Sequence, residues 1–151
     1  MFEKILFPTD FSEPSKHVLG LLANMRTECR TQTVVLVHVV DTHSVDAAAN
    51  LEGFYSISLD NIRDDITREF RRQAESALES LKRDLHQHGY EVETMVAHGD
   101  PAEEIVAIAA DKGVGCIVMG SRGRSKVAEL LLGSVSDKVI RAAKCPVLIM
   151  K

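Results

Sequence analysis

The chain has 151 residues and a mass of 16.6 kDa, which is the size of about one ordinary domain. Its 18 Lys and Arg against 22 Asp and Glu give a net charge of −4, so it lacks the excess of cations by which proteins bind nucleic acids. Hydrophobic residues make up 45% of the chain, but no apolar stretch is long enough to cross a membrane. We expect one domain over residues 1–151, with neither nucleic acid nor membrane as a partner.

Cysteines and histidines in the sequence do not form a metal or disulfide pattern. Cys29, Cys116 and Cys145 are an odd number without a CxxC pair, and no HExxH motif occurs. His38 lies within an apolar run and is expected to be a hydrogen-bonded core residue. The N-terminus leads directly into an apolar run without a basic signal region. These features predict a cytoplasmic protein with reduced thiols and no metal site.

Five short apolar runs predict β-strands. They cover residues 5–7, 34–37, 92–96, 116–119 and 147–150. Four of them are apolar at consecutive positions, which is typical of strands that are buried on both faces of a parallel sheet. The third run alternates between polar and apolar residues, which predicts a strand at the edge.

Between the strands, apolar residues recur every three or four positions, which predicts helices. The first helix follows Ser12, a predicted N-cap. The longest helix begins near Asp60 and stops before Gly89. Asp100 is the predicted cap of the next helix, and the last helix opens at Ser134.

The predicted elements follow the order β-α-β-α-β-α-β-α-β. Right-handed crossovers in such a chain place helices on both faces of one sheet. We predict a single doubly wound, flavodoxin-sized α/β domain with five parallel strands in the order 3-2-1-4-5. The irregular stretch 41–58 follows the second strand, and we predict a long, mobile loop there, at the edge where such folds bind ligands.

Two clusters of glycine and serine follow the fourth predicted strand. Residues 120–123 (GSRG) end that strand, and nine residues later residues 133–136 (GSVS) open the last helix. Glycine lets a phosphate or ribose approach the bare backbone, and the amides at a helix N-terminus are unpaired donors with partial positive charge. The two serine hydroxyls would add further donors. Each cluster alone could also be a turn or a cap, so their combination carries the prediction.

In this spacing the clusters resemble the universal stress protein family, whose ATP-binding members show G-x-x-G, nine residues, then G followed by Ser or Thr. Four further segments also resemble the family, at residues 4–13 (KILFPTDFSE), 37–40 (VHVV), 98–101 (HGDP) and 145–148 (CPVL). The resemblance spans the chain except residues 41–67. It implies a nucleotide-binding domain that binds ATP, with Mg²⁺ as an ion that could bridge the phosphates.

The resemblance also implies a role for eleven positions. Those implied for adenine and ribose are Pro8, Thr9, Asp10, Val39, Met119 and Gly120. Those implied for the phosphates are Gly123, Gly133, Ser134, Val135 and Ser136. Arg122 is not implied by the resemblance, but its place in the glycine loop would let its guanidinium pair with a phosphate. The Asp10 carboxylate would meet the ribose hydroxyls and the main chain of Val39 would meet the adenine edge. By itself Asp10 could equally form an Asx turn, and Arg122 could be solvated.

Three functions stay open. The chain could be a regulatory module that binds ATP and signals in a stress response through an unknown protein partner, a nucleotide-free interaction scaffold, or an ATPase or phosphotransferase. Fast phosphoryl transfer needs phosphate-binding cations, a metal-holding acid and a group that positions the nucleophile. The chain has no G-x-x-x-x-G-K-[ST] motif. We therefore expect a binding module without catalytic residues, or at most a slow ATPase.

The C-terminal run, residues 146–150, predicts an apolar strand at the sheet edge beside the fourth strand. Soluble proteins normally cover or pair such an edge. We predict that two copies pair through this strand about a two-fold axis, and family resemblance implies the same homodimer. The alternative is a monomer whose edge is shielded by residues 41–58.

Overall fold

The computed structural model describes residues 2–52, 59–121 and 132–150. The elements in these ranges are β1 (Lys4–Pro8), α1 (Glu13–Glu28), β2 (Thr33–Asp41), α2 (Thr42–Glu52), α3 (Leu59–Gln87), β3 (Glu91–Gly99), α4 (Pro101–Asp111), β4 (Cys116–Gly120), α5 (Ser134–Ala142) and β5 (Val147–Met150). None of the described helices has both the length and the apolar composition that crossing a membrane requires.

The strands in the described ranges form one parallel sheet in the order β3-β2-β1-β4-β5, which confirms the predicted order. β1 is the central strand: Ile5 pairs with Val34 of β2 on one side and with Cys116 of β4 on the other. The alternating run is the edge strand β3, as predicted, and β5 forms the opposite edge. Because all strands are parallel, their carboxyl ends meet at one edge of the sheet.

The hydrophobic core lies on both faces of this sheet, and β1 contributes to each face. Ile5 and Phe7 belong to the cluster beneath α1 and α3, whereas Leu6 belongs to the cluster beneath α4 and α5. All three side chains are fully buried. Since successive residues of a strand point to opposite faces, burial on both faces explains the uninterrupted apolar runs.

Helix α2 corrects one sequence prediction. The stretch 41–58 was expected to be a long loop, but Thr42–Glu52 is helical. Val45 and Ala49, four residues apart and therefore on one face of the helix, are buried, and α2 packs against α3 and β2. A segment this short, with small apolar residues, gives only a weak helical period. Residues 53–58 lie outside the described ranges.

Two helices begin with a carboxylate cap. Asp100 Oδ1 accepts hydrogen bonds from the main-chain N–H groups of Ala102 at 2.9 Å and Glu103 at 3.2 Å, which confirms the predicted cap of α4. Asp41 Oδ1 accepts from the main-chain N–H of His43 at 3.0 Å and so starts α2. Both bonds satisfy amides that have no partner inside the helix.

A small ion cluster ties the edge strand β3 to its surroundings. Glu93 receives hydrogen bonds from Lys112 Nζ at 3.0 Å and Lys4 Nζ at 3.1 Å. These bonds, with that from Lys112 the stronger, hold the pKa of Glu93 below its ordinary value. Because the Glu93 side chain is still 40% exposed, solvent screens the cluster and its stabilisation is below about 1 kcal/mol.

We expect Glu93→Gln to lower the free energy of unfolding at pH 7 by less than about 1 kcal/mol and to have no effect near pH 2. Folding lowers the pKa of this carboxylate, so the ionised group stabilises the protein at pH values above its unfolded pKa of about 4.3. That stabilisation is lost as the pH falls through the pKa of the folded state. Urea unfolding at both pH values measures the change in the free energy of unfolding. The control is Glu91→Gln, at an exposed position on the same strand. An equal loss at both pH values would contradict the ionic origin.

Candidate functional site

A cavity of about 560 Å³ opens at the carboxyl ends of β1, β2 and β4. Doubly wound sheets place their ligands at this edge, where the strand order reverses. Ten of the twelve sequence-predicted positions line it: Pro8, Thr9, Asp10, Val39, Met119, Gly120, Gly133, Ser134, Val135 and Ser136. The other two, Arg122 and Gly123, lie outside the described residues. The structure thus brings distant segments of the chain to one place.

The carboxylate of Asp10 is held in a fixed orientation between β1 and α1. Its Oδ1 accepts hydrogen bonds from the main-chain N–H of Ser12 at 3.1 Å and from the Ser12 hydroxyl at 2.5 Å. Ser12 occupies the N-cap position of α1 as predicted, but its side chain makes no capping hydrogen bond. Asp10 therefore forms an Asx turn and also lines the cavity. A role in the turn is thus compatible with a place at the cavity.

Two stacked rings line the cavity next to Asp10. The ring centroids of Phe11 and His38 are 4.7 Å apart, with an angle of 26° between the planes. His38 Nδ1–H donates a hydrogen bond to the carbonyl oxygen of Thr9 at 2.8 Å. The prediction of a hydrogen-bonded His38 is confirmed, but the ring is only partly buried. The sequence pattern did not indicate that it lines a cavity.

Helix α3 supplies a wall of the cavity that the sequence analysis did not predict. Phe70, Gln73, Ala74 and Ala77 all line the cavity. Their spacing of three and four residues places them on one face of the helix. The two alanines leave room in front of that face, and Gln73 Nε2 donates a hydrogen bond to Glu69 Oε1 at 2.7 Å. The sequence feature that could have indicated this wall is the pair of alanines, Ala74 and Ala77, within a stripe of larger apolar residues.

The start of α5 faces the cavity beside the end of β4. The first hydrogen bond within the helix runs from Asp137 N to Gly133 O at 2.9 Å, so the amides of Ser134, Val135 and Ser136 precede it. Such amides, at the positive end of the helix, can donate to an anion. Gly133 has a φ of −64°, which any residue adopts, so its backbone conformation does not require glycine.

The start of α5 is hydrogen-bonded to the main chain at the end of β4. The buried Ser136 hydroxyl donates hydrogen bonds to the carbonyl oxygens of Gly120 at 3.1 Å and Ser121 at 3.2 Å. Gly133 N donates to Ser121 O at 2.8 Å. The expectation that both serine hydroxyls face a phosphate is therefore wrong for Ser136, whose hydroxyl binds the main chain. Ser134, by contrast, is exposed.

Within the described part of the chain, no group of three or more His, Cys, Asp or Glu side chains is arranged to hold a metal. Cys29, Cys116 and Cys145 form no disulfide. Burial in β4 raises the pKa of the Cys116 thiol to about 11, so it stays protonated and unreactive at neutral pH. The described residues that line the cavity include the carboxylates of Asp10 and Asp41 and the residues at the start of α5.

The profile of the universal stress protein family matches residues 1–151. This chain belongs to the universal stress protein family. It is 35% identical to universal stress protein MJ0577 of Methanocaldococcus jannaschii over 156 residues, covering 100% of this chain and 96% of the relative. It is 36% identical to universal stress protein YxiE of Bacillus subtilis over 151 residues, covering 100% of both.

Solved universal stress proteins share the fold. The structure of MJ0577 has a TM-score of 0.85 at 34% identity and covers 100% of this chain and 96% of that one. The universal stress protein from Archaeoglobus fulgidus in complex with dAMP has a TM-score of 0.62 at 20% identity and covers 100% and 98%. These comparisons confirm the family and the single doubly wound α/β domain.

Proposed function

We propose that this universal stress protein binds ATP in the cavity at the carboxyl ends of the strands and acts as a regulatory stress-response module through a protein partner. The observation that carries the proposal is the composition of one cavity. It combines the oriented carboxylate of Asp10, the amides at the start of α5 and the apolar wall of α3. ATP presents the matching groups, which are ribose hydroxyls, phosphates and a flat base.

The base is proposed to lie between the ends of β1 and β2 and helix α3. The main chain of Val39 would read the adenine edge, while Pro8, Thr9 and the α3 residues Phe70 and Ala77 surround the ring. A cavity of about 560 Å³ is within the range of roughly 300 to 1,000 Å³ that small-molecule sites occupy. The Archaeoglobus fulgidus relative, which has the same fold, binds the adenine nucleotide dAMP.

The phosphates are proposed to lie against the start of α5, where amides and the helix dipole favour negative charge. Met119 and Gly120 would flank the ribose, and Arg122 and Gly123 are proposed to complete the phosphate site. Mg²⁺ would bridge phosphate oxygens, since it keeps several waters and needs few protein ligands. This arrangement does not require a cluster of acidic side chains.

The carboxylates that line the cavity favour binding over fast hydrolysis. Asp10 is held by Ser12, and Asp41 accepts hydrogen bonds that start α2. Both carboxylates therefore already organise the backbone around the cavity. Fast phosphoryl transfer needs an acid that holds a metal and a group that positions the attacking oxygen. We propose that hydrolysis, if it occurs, is slow.

Asp10→Ala tests the ribose end of the site. We expect ATP to bind about 1 to 3 kcal/mol more weakly, because a charged hydrogen bond to the ribose hydroxyls is lost. In this variant 2′,3′-dideoxy-ATP should bind as tightly as ATP, whereas the parent should prefer ATP. Calorimetric titration measures all four affinities, with Asp64→Ala on the exposed surface of α3 as control. Unchanged ATP affinity in Asp10→Ala would remove Asp10 from the site.

We also propose a homodimer that pairs through β5. This strand is a sheet edge, and Leu148 on it is 39% exposed. On the neighbouring helix α5, Ile140 is 41% exposed. Helix α2 packs on α3 and β2, on the other half of the sheet, so residues 42–52 do not shield this edge. A second copy about a two-fold axis would cover both side chains and pair the edge.

Light scattering at micromolar concentration tests the dimer. We expect the parent to have twice the chain mass of 16.6 kDa and Leu148→Lys to have the mass of one chain, because a buried charge would oppose pairing. Ala107→Lys, on the exposed face of α4, is the control and should remain dimeric. A parent mass near 16.6 kDa refutes the dimer.

A further inference from the structure

A second cleft, of about 360 Å³, lies at the amino ends of β2 and β3. It is lined by Arg26, Arg30, Thr31, Gln32, Gly89 and Glu91. β2 has nine residues, so this cleft is about 25 Å along the strand from the cavity described above. The cleft and the nucleotide cavity are therefore separate sites at opposite ends of the sheet.

The hydroxyl of Thr31 is the first unusual feature of this cleft. Thr31 is fully buried, and its Oγ1 has no hydrogen-bond partner among the described residues. A buried hydroxyl without a partner destabilises the fold, and valine would fill the same volume without that cost. A threonine here is explained if the hydroxyl binds something that enters the cleft.

The two arginines are the second feature. Neither Arg26 nor Arg30 makes an ion pair with a carboxylate in the described ranges. The Arg26 guanidinium carbon lies 5.7 Å from the centroid of the Tyr90 ring. A Cβ on Gly89, which has a φ of +82°, would lie only 3.0 Å from the Arg26 guanidinium. The φ of Gly89 accounts for the glycine that follows α3, and the exposed Arg26 side chain lies between this turn and the Tyr90 ring.

Arg30 follows the end of α1 with a φ of +56°, a left-handed conformation that residues other than glycine rarely adopt. Arg30 directly follows the C-cap residue Cys29 of α1, where helices commonly end on a left-handed residue, and this turn places its side chain at the cleft. The two guanidinium groups together supply a set of donors that suits a tetrahedral oxyanion.

We propose that this cleft binds the phosphate group of a small ligand, either free phosphate or a phosphate monoester. Arg26 and Arg30 would bind the oxygens, and the Thr31 hydroxyl would donate a further hydrogen bond. Glu91, at the rim, lowers the charge of the lining from two positive groups to a net of one. The carboxylate therefore limits affinity and keeps the ligand exchangeable.

The test is a titration of the full ¹⁵N-labelled chain, followed by NMR at the amides of Thr31, Gln32 and Gly89. The probes are inorganic phosphate and glycerol 3-phosphate, with sodium chloride at equal ionic strength. We expect saturable shifts with the phosphates and none with chloride. Tighter binding of the ester would identify a phosphate monoester as the ligand, and equal or weaker binding would identify free phosphate. These amides report on the cleft alone, so the result does not depend on ATP binding.

Variants decide whether the assigned groups make the site. The double variant Arg26→Gln, Arg30→Gln should lose at least tenfold in phosphate affinity, and Thr31→Val should lose affinity while folding as well as the parent. Glu91→Gln should bind roughly two- to fivefold more tightly, because a like charge is removed. Arg68→Gln, an exposed arginine on α3, is the control and should bind like the parent.

The proposal is overturned by shifts that do not saturate or that chloride reproduces. It is equally overturned if the double variant and Thr31→Val bind phosphate as the Arg68→Gln control does. Since Thr31→Val removes only an unpaired hydroxyl, its fold is expected to survive. The result is then interpretable even if the double variant is unstable.

Discussion

Ser134→Asp is expected to weaken ATP binding by about 30-fold or more while the protein folds as stably as the parent. Ser134 is exposed and is the first residue of α5. A carboxylate there interacts favourably with the positive end of the helix, so we expect stability to stay equal or rise by about 0.3 to 1 kcal/mol. The same charge would repel the phosphates and compete for the same amides, which costs about 2 kcal/mol or more in binding.

The matched control is Ser134→Asn, which has the same shape without the charge. We expect this variant to bind ATP within about threefold of the parent, because only a neutral hydrogen bond changes. Calorimetric titration and thermal unfolding of the three proteins separate binding from folding. If the aspartate variant binds ATP as tightly as the asparagine variant, the phosphates do not lie at the start of α5.

Phe7→Ala is expected to lower the free energy of unfolding by about 3 to 5 kcal/mol. Phe7 is fully buried on the central strand β1 and packs beneath α1 and α3. Removing its ring leaves a cavity that the surrounding strands and helices can only partly fill. Pro8 and Thr9 follow Phe7 directly and line the nucleotide cavity. We therefore expect Phe7→Ala to lose ATP binding at a lower temperature than the parent does.

Urea unfolding, read by far-ultraviolet circular dichroism, measures this loss. Arg83→Ala is the control, because Arg83 is exposed on α3 and its replacement should cost less than about 1 kcal/mol. A loss in Phe7→Ala as small as that in the control would contradict the position of Phe7 in the core.

Most of the fold could be predicted because it depends on local patterns. Uninterrupted apolar runs mark strands that are buried on both faces, and Leu6 lies opposite Ile5 and Phe7 for that reason. Helix α2 was missed because its described buried side chains, Val45 and Ala49, are small and only one turn apart. Two such residues give a weak helical period in the sequence. Tertiary contact with α3 and β2, which a local pattern does not contain, stabilises it.

The cavity could be predicted where its residues end strands or begin helices, because topology alone brings those points together. The α3 wall was missed, since Phe70 and Ala74 follow the same spacing as residues that fill a core. The sequence also could not predict which acceptor each serine hydroxyl binds. Ser12 binds Asp10 and Ser136 binds Gly120, and such choices depend on which acceptor the folded chain places nearby.

The most direct measurement of nucleotide recognition is calorimetric titration of the purified chain with ATP and, separately, with GTP. The main chain at Val39 is proposed to read the adenine edge, and guanine reverses the donor and acceptor at that edge. We expect one ATP to bind per chain and GTP to bind at least about tenfold more weakly, which is the loss for about one mismatched hydrogen bond. Equal affinity for the two nucleotides, or no binding of ATP, would contradict the proposed function.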